Sequence, residues 1–324
     1  MALDPSSSFH GSLAIAISLL QMAFLLFMAP LLYGWIGTVR AILQNRSPAG
    51  ILQPWRNLAR LFRKEMILPE GHSPLFLAVP PLFFSIMAVA ALLVPFLGTS
   101  PPLAPVADAV TLVGLFSLAR FSMAMAAMDL GTPFGDMGGR REMMVAFLTE
   151  PATLMILFTV SLWSGSTAIP SILTSFSKGP LPLHPSLLIA AMAFILVFLG
   201  ENARLPIDNP STHLELTMIH EAMLLEYSGP LLALMEWGSM QKLLLYLLLG
   251  IDFFAPAGIP RTFALSGLLE GGILLLGKLF ILGALLALIE SLFAKLRIFR
   301  VPEFTALAYL LSTLGFLLHF VLEG

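Results

Sequence analysis

Cysteine is absent from all 324 residues, and charged residues make up only 11% of the chain. Without a thiol the chain can form no disulfide, offer no thiolate to a metal and hold no iron–sulfur cluster of its own. Any redox centre that works with it must come from another subunit. Other chemistry is missing as well. There is no HExxH, because position 224 is Leu, and no Walker or GxGxxG loop, because Gly135 to Gly139 (GDMGG) lacks a following Lys-Ser/Thr. No stretch suits nucleic acid, and neither an internal repeat nor a low-complexity tract is visible. The net charge of −2 says nothing about partners, since distribution matters more than the sum.

Apolar sequence fills the space. The chain is 58% hydrophobic, with a mean hydropathy of +0.91, far above soluble domains. Several runs reach the roughly 20 residues that cross a hydrocarbon core as helix. An all-α, polytopic integral membrane protein follows, with residues 1–324 forming a single transmembrane domain. Eight spans are expected: Ser12–Val39, Leu75–Leu97, Val106–Ala127, Ala152–Thr167, Pro185–Leu199, Pro230–Leu249, Leu265–Ile289 and Thr305–Leu322. The start, MALDPSSSFH, has no basic segment before its apolar run, so the first span reads as retained and not as a cleaved signal peptide.

Orientation follows from basic residues in short loops. The odd-numbered loops carry Arg40, Arg46, Arg56, Arg60, Arg63, Lys64, Arg140, Arg141, Arg204, Lys295, Arg297 and Arg300, the even-numbered ones only Lys178 and Arg261. Arg120, Lys242 and Lys278 fall inside spans. That bias places the odd loops in the cytoplasm and both termini on the outer face. The even loops, rich in Pro, Gly and Ser, read as simple external turns. Loop one also holds an amphipathic segment, with Ile51, Trp55, Leu58, Phe62 and Met66 at helical spacing and Arg56, Arg60, Arg63 and Lys64 on other faces. It fits a helix at the lipid headgroups or a docking face for a peripheral subunit.

The scarce acids are not scattered. Glu201 to Met240 holds six of the chain's 19 acids: Glu201, Asp208, Glu215, Glu221, Glu226 and Glu236. Ionisable groups are costly in lipid and sit where function or assembly needs them. Glu201 and Arg204 are spaced to pair on one helical face. Pro206 stops that helix, Asp208-Asn-Pro-Ser is turn chemistry, and Thr212-His-Leu-Glu215 fits a capping box, an alternative to a proton role for Glu215. His213 and His220 invite a metal reading, but on one helix they stand about 10 Å apart along the axis. Ligands about 2 Å from a zinc ion cannot both come from there, so no metal site is expected.

Glu142 and Glu150 flank the fourth span, while Glu236, Lys242, Glu270, Lys278 and Glu290 lie in or beside spans six and seven. Such a series at the mouth of a helical bundle can pass protons near neutral pH. The plainer alternative is pairing for packing, as Glu236 with Lys242 or Glu270 with Lys278.

The run ENARLPIDNPSTHLELTMIHEAMLLEYSG resembles the corresponding loop of the membrane subunit of group 4 [NiFe] hydrogenases, the formate hydrogenlyase and hydrogenase-4 type. These are homologous to subunit 1 of respiratory complex I. LQPWRNLARLFRKE, GGRREMMVAFLTEP and LRIFRVPEF extend the likeness over nearly the whole chain. The resemblance implies a subunit without a cofactor that anchors a peripheral arm carrying [4Fe–4S] clusters and a [NiFe] site in hydrogenase small and large subunits. It also implies a link to antiporter-like, proton-translocating membrane subunits in the inner (cytoplasmic) membrane. Glu142, Glu150, Glu201, Arg204, Asp208, His213, Glu215, His220, Glu221, Glu226 and Glu236 are then the candidates for proton coupling, with Arg141 and Arg204 as the nearest cationic partners of the acids. Trp55, Arg56, Arg60, Arg63, Lys64, Arg140, Arg141, Arg297 and Arg300 are the candidates for docking the arm. Ile207 after Pro206, and Pro210 to His213 after Asn209, depart from the complex I pattern and follow the hydrogenase branch, which speaks against a quinone tunnel. The alternatives are a quinone-binding subunit of a respiratory dehydrogenase, or a stand-alone secondary transporter. The transporter would show a second broken helix in the first half, and none is visible there.

Overall fold

The computed structural model describes residues 5–95, 107–177, 184–208, 218–256 and 265–323. Helices carry nearly all of them, as lipid requires, because a spanning backbone must satisfy its own hydrogen bonds. In chain order these are α1 (Pro5–Leu43), α2 (Gln53–Phe62), α3 (Pro74–Leu93), α4 (Ala109–Asp129), α5 (Pro133–Ser164), α6 (Ile169–Ser177), α7 (Pro185–Glu201), α8 (His220–Leu224), α9 (Gly229–Phe254), α10 (Leu265–Leu292) and α11 (Val301–Leu318). Seven are long and apolar enough to cross a membrane: α1, α3, α4, α5, α9, α10 and α11. The eighth apolar run is α7, whose 17 residues cover only about 26 Å at 1.5 Å per residue. Its last residue is Glu201, so the short span ends on a charge.

Local chemistry sets the ends. Ser73 caps α3 by accepting from the Leu75 amide at 3.1 Å, and Asp108 caps α4 by accepting from Val110 at 2.7 Å. Thr167 donates to the other Asp108 oxygen at 2.7 Å, tying the far end of α5 to the start of α4. Gly165, at φ +68°, ends α5 in the left-handed conformation that glycine adopts without penalty.

α9 is the buried axis of the bundle, with 72% of its apolar window covered, against 28% for α10 and 22% for α11. α3 packs on α4 and α9, α10 on α1, and α11 on α5 and α7. Two glycines permit close approaches that position the helices. A Cβ on Gly238 of α9 would stand 2.6 Å from the Phe83 ring, and one on Gly34 of α1 would stand 2.0 Å from the Ile51 carbonyl. The second contact seats loop one and α2 against the bundle, where Pro54 and Leu58 are buried.

Three features differ from the sequence reading. α5 begins at Pro133 and not near Ala152, so GGRREMMVAFLTEP lies within a helix. One face of its first turns, with Gly135, Gly138, Gly139 and Glu142, is buried, and Gly138 lets α8 approach, a Cβ there standing 2.9 Å from that of Ala222. α6 occupies a loop expected to be a simple turn. The proposed capping box at Thr212 to Glu215, including His213 and Glu215, lies outside the described residues.

Candidate functional site

Four helices each bring one ionisable side chain to a common point inside the bundle: Arg120 from α4, Glu142 from α5, Glu201 from the end of α7 and Lys242 from α9. All four are more than nine-tenths buried. Arg120 Nε donates to Glu142 at 2.5 Å, and its Nη1 donates to Glu201 Oε1 at 2.6 Å and to Thr149 at 2.9 Å. The Thr149 hydroxyl donates to the same Glu201 oxygen at 2.6 Å, and Lys242 Nζ donates to the other at 3.0 Å. Two cations thus face two carboxylates with their lone pairs engaged, the condition under which buried charge is tolerated. Arg120 Nη2 is buried without a hydrogen-bond partner, so the network keeps one unused donor.

Two further ionic groups flank it. Glu290, near the end of α10, accepts from Arg204 at 3.1 Å and from Arg40 at 3.2 Å. Burial opposes the charge on Arg204, but the Glu290 carboxylate beside it more than reverses this and holds its pKa above the ordinary value. The guanidinium also lies 4.8 Å over the Tyr33 ring. Asp208, 2% exposed, accepts from Lys295 at 2.7 Å and from the Ile219 and His220 amides at 3.1 Å each. It therefore fixes the start of α8 and joins it to the segment between α10 and α11. Nearby, burial raises the pKa of the Tyr227 phenol, which stays neutral and donates to the Phe76 carbonyl at 3.2 Å.

These groups open onto a cavity of ≈ 260 Å³ covered by α2. Glu142, Glu201, Arg204, Asp208, His220, Glu221 and Glu236 line it together with Arg120, Lys242 and Ser239. His220 Nε2 lies 3.3 Å from the Ser239 hydroxyl. Such a chamber, walled by carboxylates, an imidazole and hydroxyls, can hold water and relay protons between them.

Seven of the sequence-derived coupling candidates thus converge on one chamber. Glu150 and Glu226 are half-buried and do not line it. Several pairings differ from expectation. Glu201 bonds Arg120 and Lys242, while Arg204, three residues on, turns to Glu290. Lys242 therefore does not serve Glu236. Glu270 is exposed, and Lys278 donates to the Ala255 carbonyl at 2.6 Å. Arg141 donates to the Met218 carbonyl at 2.9 Å and feels the charge of the buried Asp208 without bonding to it directly.

Among the docking candidates, Arg56, Arg60, Arg63, Lys64, Arg140, Arg297 and Arg300 are exposed, with Arg140 paired to Asp136 at 2.9 Å. Trp55 instead turns inward, its ring 5.2 Å from Phe27 and 5.4 Å from Trp237. The residue that sequence reasoning passed over is Arg120. A lone arginine in an apolar run was itself the signal, since only buried carboxylates can hold it there.

The chain is similar to known proteins over nearly its whole length. The chain is 32% identical over 304 residues to formate hydrogenlyase subunit 4 of Escherichia coli, covering 94% of this chain and 98% of that one. It is 30% identical over 302 residues to hydrogenase-4 component C of Escherichia coli, covering 93% and 94%. A chain of the membrane-bound sulfane sulfur reductase, an archaeal respiratory membrane complex, shares the fold with a TM-score of 0.83 at 19% identity, over 94% of this chain and 99% of that chain. The family model described as NADH dehydrogenase matches residues 15–321. This helical, multi-pass membrane chain, with its ion network buried between four helices, belongs to the NADH dehydrogenase family.

Proposed function

We propose that the chain is the membrane-anchoring and proton-coupling subunit of a complex I-like membrane-bound hydrogenase. It links a peripheral arm carrying iron–sulfur clusters and a [NiFe] site to antiporter-like, proton-translocating membrane subunits. The observation that carries this reading is the balanced network of Arg120, Glu142, Glu201 and Lys242, buried in a chain with no cysteine and opening onto a chamber lined by further acids. Its similarity to formate hydrogenlyase subunit 4 and hydrogenase-4 component C supports the hydrogenase branch.

On this reading the chain lies in the cytoplasmic membrane with its odd loops inside. The exposed Arg56, Arg60, Arg63, Lys64, Arg140, Arg297 and Arg300 face the arm, and no cofactor is held in the chain itself. A cavity of ≈ 260 Å³ is smaller than the roughly 300–1,000 Å³ of ordinary ligand pockets, which favours water over a quinone ring. Charge arriving on a nearby cluster would shift the proton affinities of Glu201 and its neighbours and so tie electron flow to proton movement. The test is Glu201→Gln in the assembled complex. Loss of proton translocation with the complex intact is expected, and unchanged translocation removes Glu201 from the coupling route. Purification of the tagged chain without any iron–sulfur or nickel partner would overturn the hydrogenase assignment.

A further inference from the structure

One strip of α9 takes no part in the network described above. Gln241 and Asp252 are 11 residues apart, three helical turns, so they share a face with about 16 Å between them along the axis. Leu245 and Leu248 occupy the same strip between them, 1% and 0% exposed. Gln241 is buried and neither of its amide atoms has a hydrogen-bond partner. Asp252 is 1% exposed and its Oδ2 has none. Buried polar atoms left without protein partners are met by water or by a proton. The strip is therefore polar at each end and dry in the middle.

The two ends belong to different sides of the bundle. Gln241 adjoins Lys242 and the buried network. Asp252 stands two residues before α9 ends at Phe254, and the charge set against it is Lys278 of α10. Lys278 is partly exposed, and its ammonium reaches past the helix end to donate to the Ala255 carbonyl at 2.6 Å. A lysine whose task was only to glue α9 to α10 through Asp252 would sit on the carboxylate. This one sits on a backbone carbonyl and leaves Oδ2 to something smaller.

We propose that Asp252 is a second proton-binding site, reached from the face where α9 ends, and that Leu245 and Leu248 form the dry barrier dividing it from the ion network. The step is proton transfer alone, from water to the carboxylate and back, and it needs no oxidant or reductant. The chain so holds protons from both aqueous phases without joining them. This inference concerns α9 itself and stands whether or not the hydrogenase assignment does.

The experiment measures passive proton leak in liposomes carrying the complete, inactive complex, with an entrapped pH dye and an imposed pH step. Leu248→Ser places a water-holding hydroxyl in the barrier and is expected to raise the leak about tenfold, one hydrogen bond's worth of barrier. The double variant Leu248→Ser/Asp252→Asn is expected to return it to within about twofold of wild type. Asp252→Asn alone is expected to match wild type. No rise in Leu248→Ser, or a rise that persists in the double variant, overturns the proposal. Should Leu248→Ser fail to assemble, Leu245→Ser interrupts the same strip and is judged by the same two outcomes.

Discussion

Replacing Arg120 with Gln tests the network most directly. The guanidinium bonds Glu142, Glu201 and Thr149, and only Lys242 would remain to balance two buried carboxylates. Removing one partner of a buried pair costs roughly 3–5 kcal/mol, because a charge is stranded. Arg120 serves two acids, so the upper part of that range is expected. Glu142→Gln is expected to be milder, since Arg120 keeps Glu201. The combined Arg120→Gln/Glu142→Gln variant restores the balance of charge, with Lys242 left against Glu201. It should be more stable than Arg120→Gln alone, with an interaction energy of about 2–3 kcal/mol in the cycle. Unfolding of the purified chain in mixed micelles, followed by helical circular dichroism, supplies all four stabilities. Additivity within about 0.5 kcal/mol would show that the two charges do not depend on each other, and the network as described would be refuted.

Three further outcomes follow from single contacts. Gly34→Ala places a Cβ 2.0 Å from the Ile51 carbonyl, so loop one must move and α2 lift. Faster proteolysis between Arg46 and Arg63 is expected, and an unchanged digestion rate would refute it. Asp208→Ala removes the acceptor of Lys295 and of two amides at the start of α8. A loss of about 3 kcal/mol is expected from stranding these donors, whereas a proton carrier with no holding role would leave stability unchanged. On the proposed reading, Phe299, 87% exposed between Arg297 and Arg300, would anchor the peripheral arm. Phe299→Glu is expected to reduce copurification of the arm about tenfold or more, a loss of at least ~1.4 kcal/mol, and undiminished recovery would remove it from the interface.

Hydropathy made the apolar helices legible because lipid leaves a backbone few alternatives. It misplaced the start of α5 because GDMGGRREMM reads as polar loop, whereas its glycines let α4 and α8 approach so closely that the segment packs as helix. The acids were found from their cost in an apolar chain, and seven of the candidates do meet. Their partners were not found. Lys242 lies 41 residues from Glu201, and Glu290 lies 86 from Arg204. Short-range rules suggested Arg204 for Glu201 and Glu236 for Lys242, since spacing along one helix is all that a single sequence displays. Which helices face one another is settled by packing, and packing decided both pairings.

The distribution of those four charges, one to a helix, bears on how the protein is made. During synthesis α4 enters the bilayer with Arg120 before either of its carboxylate partners has been made, at a cost of roughly 2.5–3.5 kcal/mol near mid-helix. That debt is settled only when α5 and α7 dock with Glu142 and Glu201. Wrong docking leaves an ion stranded in hydrocarbon, so the arrangement of charges also polices helix order during biogenesis, rejecting bundles that apolar packing alone would accept.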